Sequence, residues 1–516
     1  MRTPYRSCNT LDECRLSSSK WSAKSTLAKR RAQGMKSTDP LLDAWQQTLR
    51  RAKGAPAILD TRHKVLRTFV NVEERACDFE VQLKTFSPGN VIAVQIGNHE
   101  DWPAIFIACL RRRLVVLPLE QSIGDQQRDA ALEICGAAGA ITRAEDSLTS
   151  TLSQRERESL LPRGEKARLR GISLLKLTSG TTAQPRAIRF RSEQLLADCN
   201  QICDTMGISD TDLNFGAIPI SHSYGFSNLL TPLIARGVPM VVSCDRTPRA
   251  ILADLVRTGA TVFPGMPALY QALGDLDGVR ALPKLRLCIS AGAPLAAAVS
   301  KKFFEKFKQP IHSFYGASEC GGICYDRDGT AFEDGFVGGP MHGVEIGLLD
   351  PTASSSQVRV RSAAVGDGYF PDPDEQKLGD GVFVPDDLLA QYGSGFKIVG
   401  RVSDVINVAG KKVNPAEVEA HLLCYDGVRQ AVVFGRSAGA GLRNEEVAAC
   451  VVASPQVSEG DLLRFCRAAL SAWQVPKRIF IVDAIPTNER GKISRRDLAR
   501  RFPESSETSP LRRLSS

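Results

Sequence analysis

Apolar and polar residues alternate along the first part of this chain in two periods, one typical of strands and one typical of helices. Val91 to Ile96 and Leu114 to Leu119 are apolar runs of strand length. Between them, Trp102 to Arg112 has helical spacing and follows Asp101, a residue suited to cap a helix. This order predicts a β-α-β unit of a parallel sheet. The alternation returns from Ser192, which we expect to cap another helix, so the pattern predicts a large N-terminal domain of layered α/β sheets.

The hydrophobic pattern changes beyond Phe336, where short alternating runs rich in Gly favour antiparallel strands and hairpins. We therefore predict a small β unit, followed by a small α+β C-terminal domain that begins near Ser403. In this last segment, Asn414 and Glu417 have the spacing of a capping box at the start of a helix. Ser458 is placed to start a further helix.

A chain of 516 residues is too long for one hydrophobic core, so we expect two folded domains, at residues 35–402 and 403–503. The second is expected to be mobile. Residues 1–34 hold eight Lys and Arg residues against two acidic ones and have no apolar periodicity, so we expect a disordered basic leader. It is either an organelle-targeting segment or upstream sequence from a misplaced start codon. The leader contains an acidic pair and has no apolar h-region, and this favours the second. Residues 504–516 are polar and are expected to be disordered.

The net charge of +9 lies mostly in the leader, which carries +6, so the folded body has no large basic excess. Because nucleic-acid binding needs a basic patch on the folded body, we expect no nucleic-acid partner. The fourteen cysteines are scattered through apolar segments, as is typical of reduced core thiols. The longest apolar candidate for a membrane span, Trp102 to Leu119, is interrupted by Arg111, Arg112 and Arg113. We therefore expect a cytoplasmic protein without a transmembrane segment.

The candidate chemistry begins in the stretch Leu174 to Phe190, LLKLTSGTTAQPRAIRF, which predicts two short strands around a loop of small hydroxyl residues. Hydroxyls, a glycine backbone and a fixed positive charge suit a polyphosphate, although a simple turn between strands is an alternative interpretation of this stretch alone. The P-loop of common nucleotidases opens a helix, whereas AIRF favours a strand. The residues that would provide this chemistry are Ser179, Gly180, Thr181, Thr182 and Arg186.

Seven motifs in a fixed order carry a more specific signal than this loop alone. They are TSGTT at Thr178–Thr182, PISHSYG at Pro219–Gly225, SAGAPL at Ser290–Leu295, YGASE at Tyr315–Glu319, GRVSD at Gly400–Asp404, VNPAEVE at Val413–Glu419 and RGKISRRDL at Arg490–Leu498. Each is weak by itself, but their ordered set resembles the adenylate-forming superfamily of acyl-CoA and aryl-CoA synthetases, nonribosomal adenylation domains and firefly luciferase. The resemblance spans about Leu41 to Phe502.

The resemblance implies that the chain joins ATP and a fatty or aryl carboxylic acid into an acyl-adenylate, releases pyrophosphate, and passes the acyl group to the thiol of coenzyme A. ATP, Mg²⁺ and coenzyme A are the implied cofactors and co-substrate. One alternative is a free-standing adenylation enzyme that loads an acyl carrier protein. Another is a nucleotide-binding protein without catalysis, suggested by Ala183, Arg186 and Ala187 in the phosphate loop, where the family usually has Gly, Lys and Gly. The oligomeric state is not indicated.

The resemblance also assigns roles to residues. Lys492, Glu319 and Arg186 correspond to catalytic positions, with Glu319 helping to hold Mg²⁺. The positions that correspond to the ATP site are Thr178, Ser179, Gly180, Thr181, Thr182, Gly292, Ala293, Pro294, Tyr315, Gly316, Ser318, Asp387 and Arg401. The acyl pocket corresponds to His222, Tyr224 and Phe226, and the hinge between the domains to Ser403. His222 fits a satisfied core histidine equally well.

Two departures from the family pattern affect these assignments. The family loop usually reads TTGxPKG, and here Ala183, Arg186 and Ala187 replace Gly, Lys and Gly. Arginine keeps the charge and adds a planar fork, but the lost glycines stiffen the loop. The segment Pro385-Asp386-Asp387-Leu388 leaves two candidates for the carboxylate that holds the ribose, Asp387 and its rival Asp386.

Overall fold

The structure is a computed structural model that describes residues 39–144, 147–150, 169–178, 186–243, 247–278, 281–329, 332–408, 411–437, 445–486 and 493–502. The predicted leader and tail lie outside these residues. The chain divides into two compact units. Unit 1 comprises Met1–Glu345 and Val360–Phe383, and unit 2 comprises Ile346–Arg359 and Val384–Ser516.

The helices of unit 1 begin at the start of the described chain and alternate with its strands. They are α1 (Pro40–Ala52), α2 (Phe69–Gln82), α3 (Trp102–Arg111), α4 (Asp125–Ile134), α5 (Ser192–Met206), α6 (Ser223–Gly225), α7 (Thr231–Arg236), α8 (Pro248–Thr258), α9 (Pro267–Asp275) and α10 (Ala297–Phe307). A π-helical turn, Phe226–Leu230, joins α6 to α7. No helix among the described residues is both long enough and apolar enough to cross a membrane.

Strands β1 to β20 belong to unit 1, except that β16 and β17 each have residues in both units. They are β1 (Pro56–Leu59), β2 (Val65–Thr68), β3 (Val91–Gln95), β4 (Val115–Pro118), β5 (Ala137–Ala144), β6 (Ser147–Ser150), β7 (Leu174–Leu177), β8 (Ala187–Phe190), β9 (Asn214–Gly216), β10 (Met240–Val242), β11 (Val262–Gly265), β12 (Leu287–Ser290), β13 (Ile311–Ala317), β14 (Gly321–Tyr325), β15 (Phe336–Pro340), β16 (Val344–Leu348), β17 (Val358–Ser362), β18 (Tyr369–Phe370), β19 (Leu378–Gly379) and β20 (Val382–Phe383).

One sheet of unit 1 has the order β18-β8-β7-β4-β3-β5-β6. Strands β3 and β4 are parallel, with Val91 opposite Val115, and α3 lies between them in the chain. The predicted β-α-β unit is therefore confirmed. Strands β7 and β8 are antiparallel neighbours, as a strand, loop and strand require.

The other large sheet of unit 1 contains the order β2-β1-β10-β9-β11-β12-β13-β14-β15. Strands β10, β9, β11, β12 and β13 are parallel. Since the carboxyl ends of parallel strands share one edge, the segments that follow β9, β12 and β13 lie at the same edge of the sheet. These are the segments that carry PISHSYG, SAGAPL and YGASE. The α/β layering predicted from the hydrophobic pattern is confirmed.

Asn98, at the end of β3, joins the two sheets of unit 1. Its amide nitrogen donates to the carbonyl oxygens of Gly216 and Ile218 at 3.0 Å each and to that of Ser243 at 3.3 Å. Its amide oxygen accepts the Ile220 N–H at 2.9 Å. One side chain therefore fixes the backbone that leads into PISHSYG.

We expect Asn98→Ala to lower the free energy of unfolding by about 2 kcal/mol or more, because it strips hydrogen bonds from several partly buried backbone groups at once. Thermal or denaturant unfolding measures the loss. Asn90→Ala is the matched control, since it removes one exposed hydrogen bond to the Ser87 N–H. Equal losses for the two variants would contradict this role of Asn98.

The two side-chain caps predicted in unit 1 do not form, although Asp101 occupies the N-cap position of α3 as predicted. Asp101 precedes α3 without a side-chain capping bond, and its carboxylate instead accepts from Arg75 at 2.7 Å. Ser192 is the first residue of α5, and its hydroxyl donates to Asp39 at 2.6 Å. In both cases a partner from another element displaces the local bond.

Unit 2 contains helices and strands of the predicted α+β character. Its strands are β21 (Asp387–Tyr392), β22 (Gly395–Arg401), β23 (Ile406–Val408), β24 (Lys411–Val413), β25 (Val428–Ser437), β26 (Glu445–Ala453) and β27 (Arg478–Ile481), and its helices are α11 (Pro415–Leu423), α12 (Glu459–Ala469) and α13 (Arg495–Arg501). Strand β26 pairs antiparallel with β25 and parallel with β27, and α11 and α12 pack on this sheet through an apolar core.

The helix starts predicted in unit 2 agree better with the structure. Asn414 caps α11 by accepting the Ala416 N–H at 3.2 Å, and Ser458 forms a capping box with Asp461 at α12. The predicted capping role of Glu417 is wrong, since its carboxylate accepts from Gln474 at 3.1 Å. The side-chain caps formed by Asn414 and Ser458 were therefore predictable from sequence neighbours.

Candidate active site

The SAGAPL segment leaves an open stretch of backbone at the carboxyl end of β12. Gly292 adopts φ +87°, a conformation that side chains oppose, and a Cβ there would meet no atom within 4 Å. Gly292, Ala293 and Pro294 are all exposed. The segment predicted to form the backbone wall of the adenine site is therefore accessible to a flat ligand.

The YGASE segment includes the end of β13, which pairs antiparallel with β14 and has a register irregularity between Tyr315 and Gly316. A Cβ at Gly316 would lie 2.6 Å from the carbonyl oxygen of Gly321, so the close approach of the two strands excludes a side chain. Two residues later, Ser318 accepts a hydrogen bond from the hydroxyl of Ser223 at 3.0 Å. Ser223 belongs to PISHSYG, so the segments predicted for the nucleotide and for the acid are in direct contact.

Glu319 is held from two directions. Its carboxylate accepts the Tyr369 hydroxyl at 3.1 Å, and its backbone oxygen accepts the Gly366 N–H at 2.9 Å. Burial and then the Glu319 charge raise the pKa of Tyr369 well above its ordinary value, so the phenol remains a donor. The predicted metal-binding carboxylate therefore has a fixed position.

Arg186 reaches the same place from β8. Its guanidinium lies 4.1 Å from the centroid of the Tyr369 ring and donates to the Asp372 carbonyl at 2.8 Å. Tyr369 thus brings together Arg186 and Glu319, two residues predicted to be catalytic. Our sequence reasoning missed Tyr369, although a tyrosine directly after Gly366-Asp367-Gly368 was a usable signal.

The phosphate loop is closed at its base by a hydrogen bond from the Thr178 N–H to the Arg186 carbonyl at 2.8 Å. Ser179, Gly180, Thr181 and Thr182 lie outside the described residues. The predicted arrangement of strand, loop and strand is confirmed for the two strands, and the assignment of phosphate-binding residues stays a prediction.

The predicted acyl residues occupy different surroundings. Tyr224 donates its hydroxyl to the Ile289 carbonyl of β12 at 3.0 Å, and burial raises its pKa well above the ordinary value. His222 accepts the Tyr224 N–H on Nδ1 at 3.3 Å, a local helix-capping contact. Phe226 is fully buried and packs edge-on against Phe106 at 5.1 Å between ring centroids. Tyr224 is therefore the predicted acyl residue that the structure brings to the carboxyl edge of the sheet.

Strand register in unit 2 gives Asp386 and Asp387, the two candidates for the ribose carboxylate, different surroundings. Asp387 is opposite Arg401 in the β21–β22 hairpin and accepts the Arg401 Nε–H at 2.7 Å. The carbonyl of Asp386 accepts the Val402 N–H at 2.8 Å. Asp387 and Arg401 thus form an ion pair with each other, and their predicted contact with ribose stays a prediction.

The residues predicted to be the hinge and the catalytic lysine are described only in part. The backbone of Ser403 lies in a 3₁₀ turn, Val402–Asp404, and Lys492 lies outside the described residues. Arg495, three residues after Lys492, donates to Asp404 at 2.6 Å, to Glu419 at 2.8 Å and to the Val433 carbonyl at 2.9 Å. Our sequence reasoning missed this anchor, which joins the last three motifs within unit 2.

We expect Arg495→Met to slow adenylate formation by about 10-fold or more, because small displacements of a catalytic group cost large factors in rate. The rate of pyrophosphate release measures this. Arg500→Met is the matched control, since Arg500 makes one exposed ion pair, with Asp497, and such pairs contribute little. Equal rates for both variants would show that the Arg495 contacts do not position the lysine.

The described residues fit ATP and Mg²⁺. Magnesium prefers oxygen ligands, and the Glu319 carboxylate is fixed at the edge where the phosphate loop begins and ends. The Nε atom of Arg186 is buried and has no hydrogen-bond partner among the described residues. A held carboxylate beside a guanidinium is a donor set suited to a metal-bound polyphosphate.

Comparisons with known proteins match both the N-terminal and the C-terminal parts of the chain. A model of AMP-binding enzymes matches residues 45–370, and a model of the AMP-binding enzyme C-terminal domain matches residues 417–492. The chain is 28% identical to a probable CoA ligase of Humulus lupulus, over 80% of this chain and 87% of the relative. It is 27% identical to a feruloyl-CoA synthase of Amycolatopsis sp, over 89% of this chain and 99% of the relative.

The fold is also found among solved structures. The O-succinylbenzoate coenzyme A synthetase of Bacillus subtilis, in complex with ATP and magnesium ion, has a TM-score of 0.73 at 21% identity, over 88% of this chain and 98% of that chain. This likeness confirms the predicted fold class. The family match covers more than half of the chain and, with the curated relatives, confirms the prediction of an AMP-forming acid–thiol ligase. The chain therefore belongs to the family of AMP-binding enzymes.

Proposed function

We propose that this enzyme uses ATP to activate a fatty or aryl carboxylic acid as an acyl-adenylate, with release of pyrophosphate, and transfers the acyl group to the thiol of coenzyme A. The observation that carries the proposal is the hydrogen bond between Ser223 and Ser318. It joins the segment assigned to the acid with the segment assigned to the α-phosphate. Adenylation requires these two reactants to meet in line.

The chain's own residues supply what such a reaction needs. A carboxylate that approaches an α-phosphate meets negative charge, so donors and cations must neutralise both partners. Ser318 offers a hydroxyl, Arg186 a fixed guanidinium, and Glu319 a ligand for Mg²⁺. The bound ion supplies positive charge at the phosphate oxygens. Tyr369 contacts both the Arg186 guanidinium and the Glu319 carboxylate and so holds the two groups near each other.

The C-terminal domain contributes residues with two roles in this proposal. Lys492 reaches the α-phosphate and the acid carboxylate during adenylation, and the domain then turns about Ser403 for the thiol reaction. Arg495 supports this role, since its ion pairs with Asp404 and Glu419 hold the helix that follows Lys492. Asp387 and Arg401 hold the ribose.

An aryl acid is the narrower choice within the proposed substrate class. Tyr224 lies 5.9 Å from Phe314, centroid to centroid, at the carboxyl edge of β12 and β13. Aromatic walls favour flat apolar groups over a methyl group. The relative named feruloyl-CoA synthase, which matches nearly along its whole length, supports the same choice.

The proposal is tested by pyrophosphate release from a panel of acids, with cinnamate, ferulate, dodecanoate and acetate as members. We expect the strongest release with cinnamate or ferulate and weak release with acetate, whereas release with dodecanoate alone would overturn the aryl choice and leave the activity standing. Adding coenzyme A should yield the acyl-CoA, which mass spectrometry identifies. Pyrophosphate release with acyl transfer to a phosphopantetheinylated carrier protein, and none to coenzyme A, would overturn the choice of acceptor. Absence of release with every acid would overturn the activity.

A further inference from the structure

Strand β18, which carries Tyr369, consists of only two residues and lies at the edge of its sheet. It pairs antiparallel with β8, where Tyr369 is opposite Ile188. Because side chains alternate between the two faces of a strand, a shift of one residue in this pairing would turn the Tyr369 side chain to the other face. Tyr369 would then lose its contacts with Arg186 and Glu319. So short a strand defines its own register weakly, and contacts outside it therefore matter to the position of Tyr369.

The side chain of Asp367, two residues before Tyr369, supplies such a contact. Its Oδ2 accepts the Arg191 Nε–H at 2.5 Å, and its Oδ1 accepts from the Gln194 side-chain amide at 2.6 Å. Both donors stand at the start of α5, which follows β8 directly in the chain. A hydrogen bond between two charged groups is among the stronger ones in proteins. The carboxylate therefore ties the segment before β18 to the chain that leaves β8.

The backbone around Asp367 lies close to β8. The Asp367 N–H donates to the Arg189 carbonyl at 2.8 Å, and the Arg189 N–H donates to the Gly368 carbonyl at 3.1 Å. A Cβ at Gly366 would lie only 3.0 Å from the same Arg189 carbonyl oxygen, so there is little room for a side chain. The Gly366 N–H in turn donates to the Glu319 carbonyl at 2.9 Å. Asp367 thus lies between a residue that holds the Glu319 backbone and the strand that carries the tyrosine.

We propose that Asp367 is a positioning residue for the adenylation site: its bonds to the start of α5 fix the register of β18 on β8 and so place the Tyr369 hydroxyl against Glu319. The inference rests on the proposed function, since it takes Glu319 as the Mg²⁺ ligand. Groups that orient a metal ligand from outside change metal affinity or activity by about 10–100-fold when they are removed.

Two variants remove this contact from opposite sides. Asp367→Ala removes both side-chain bonds, whereas Arg191→Met removes the charged donor and keeps the backbone N–H that donates to Gln194 at 2.8 Å. Because β18 should then leave its register part of the time, amide hydrogen exchange in peptides that cover β8 and β18 should become faster by about fivefold or more. Mass spectrometry of the full chain measures this exchange without reference to metal or activity.

Asp212→Ala is the matched control. The Asp212 carboxylate also accepts from an arginine, Arg286, at 2.8 Å, and its side chain is only 5% exposed. It precedes β9, however, and so lies at the edge of the sheet opposite to the segments of the site. Asp212→Ala should lower the free energy of unfolding but leave exchange in β8 and β18 within about twofold of the wild type.

Metal binding is the second measurement. Mn²⁺ is the probe, and free Mn²⁺ is measured by electron paramagnetic resonance with the full chain and ATP, against a blank of ATP alone. We expect Asp367→Ala to weaken Mn²⁺ binding by about 10-fold or more. The Mg²⁺ concentration for half-maximal pyrophosphate release should rise by a similar factor, with the KM for the acid nearly unchanged. In a Tyr369→Phe background, Asp367→Ala should add less than about twofold, because the hydroxyl that it positions is already absent.

Native exchange in β8 and β18, or native Mn²⁺ affinity, in Asp367→Ala would overturn the proposal. Full multiplication of the two losses in the double variant with Tyr369→Phe would also overturn it, since Asp367 would then act independently of the hydroxyl. If Asp367→Ala fails to fold, Arg191→Met decides: faster exchange with weaker Mn²⁺ binding supports the proposal, and native values contradict it.

Failure of the proposed function gives different results. Glu319→Ala with native Mn²⁺ affinity would refute the metal-binding role, and the exchange measurement would still report on the register that Asp367 fixes. A wild type that binds Mn²⁺ with ATP but activates no acid would refute the activity and leave both Asp367 measurements intact.

Discussion

Glu319→Ala is expected to abolish adenylate formation, with a loss of at least about 100-fold in the rate of pyrophosphate release. The substitution removes the carboxylate that accepts the Tyr369 hydroxyl, and it leaves the backbone carbonyl of residue 319 to accept the Gly366 N–H. A bound divalent ion is among the largest local charges in a phosphate site, so its misplacement removes much of the charge that the transition state needs.

Two further variants separate the charge of Glu319 from its hydrogen bond. Glu319→Gln keeps an oxygen that can accept from Tyr369 but carries no charge, and it should be nearly as impaired as Glu319→Ala. Tyr369→Phe keeps the charge and removes the donor, and it should lose only about 10-fold. Glu345→Ala, at an exposed carboxylate, is the control and should stay within about twofold of the wild type. Wild-type pyrophosphate release by Glu319→Ala at limiting Mg²⁺ would count against the assignment.

Lys492→Ala and Ser403→Pro are expected to fail at different half-reactions. Lys492→Ala should lose adenylation by at least about 100-fold, because no other amine is assigned to the α-phosphate. It should still convert supplied acyl-adenylate to the thioester, since thiol attack does not need that amine. Lys477→Ala, at an exposed lysine of the same unit, is the control.

Ser403→Pro should keep adenylation and lose thioester formation. Proline fixes φ near −65°, a value that the first turn of a helix accepts. The Ser403 backbone lies in the 3₁₀ turn Val402–Asp404. The variant should therefore fold but resist a large backbone rotation. Ser403→Ala, which removes the hydroxyl without fixing φ, should retain both half-reactions. If Lys492→Ala and Ser403→Pro lose the same half-reaction, the proposed domain rotation is wrong.

Features that depend on sequence neighbours were predictable from the chain. The β3-α3-β4 unit followed from hydrophobic spacing, and the helix starts at Asn414 and Ser458 followed from capping chemistry. The order of the seven motifs was sufficient for the family. Each of these signals is local or ordered along the chain, so a single sequence contains it.

Asp101 and Ser192 mark the limit of such reasoning. Asp and Ser are residue types that often cap helices, yet the Asp101 carboxylate accepts from Arg75 and the Ser192 hydroxyl donates to Asp39. A cap contributes about 1 kcal/mol, and a charged partner from another element can exceed that. The sequence shows which hydrogen bonds a side chain can form, but it does not show which partner the side chain bonds in the folded protein.

The sequence by itself determined the α/β layers, the family and the residue types of the site, because burial period and motif order are properties of the chain. Only the tertiary structure decided the contacts that support the site, such as Tyr369 on Glu319, Ser223 on Ser318 and Asp198 on Gly322, which span 50, 95 and 124 residues. Contacts between residues so far apart in the chain depend on folding, because no property of neighbouring residues determines which distant side chains meet.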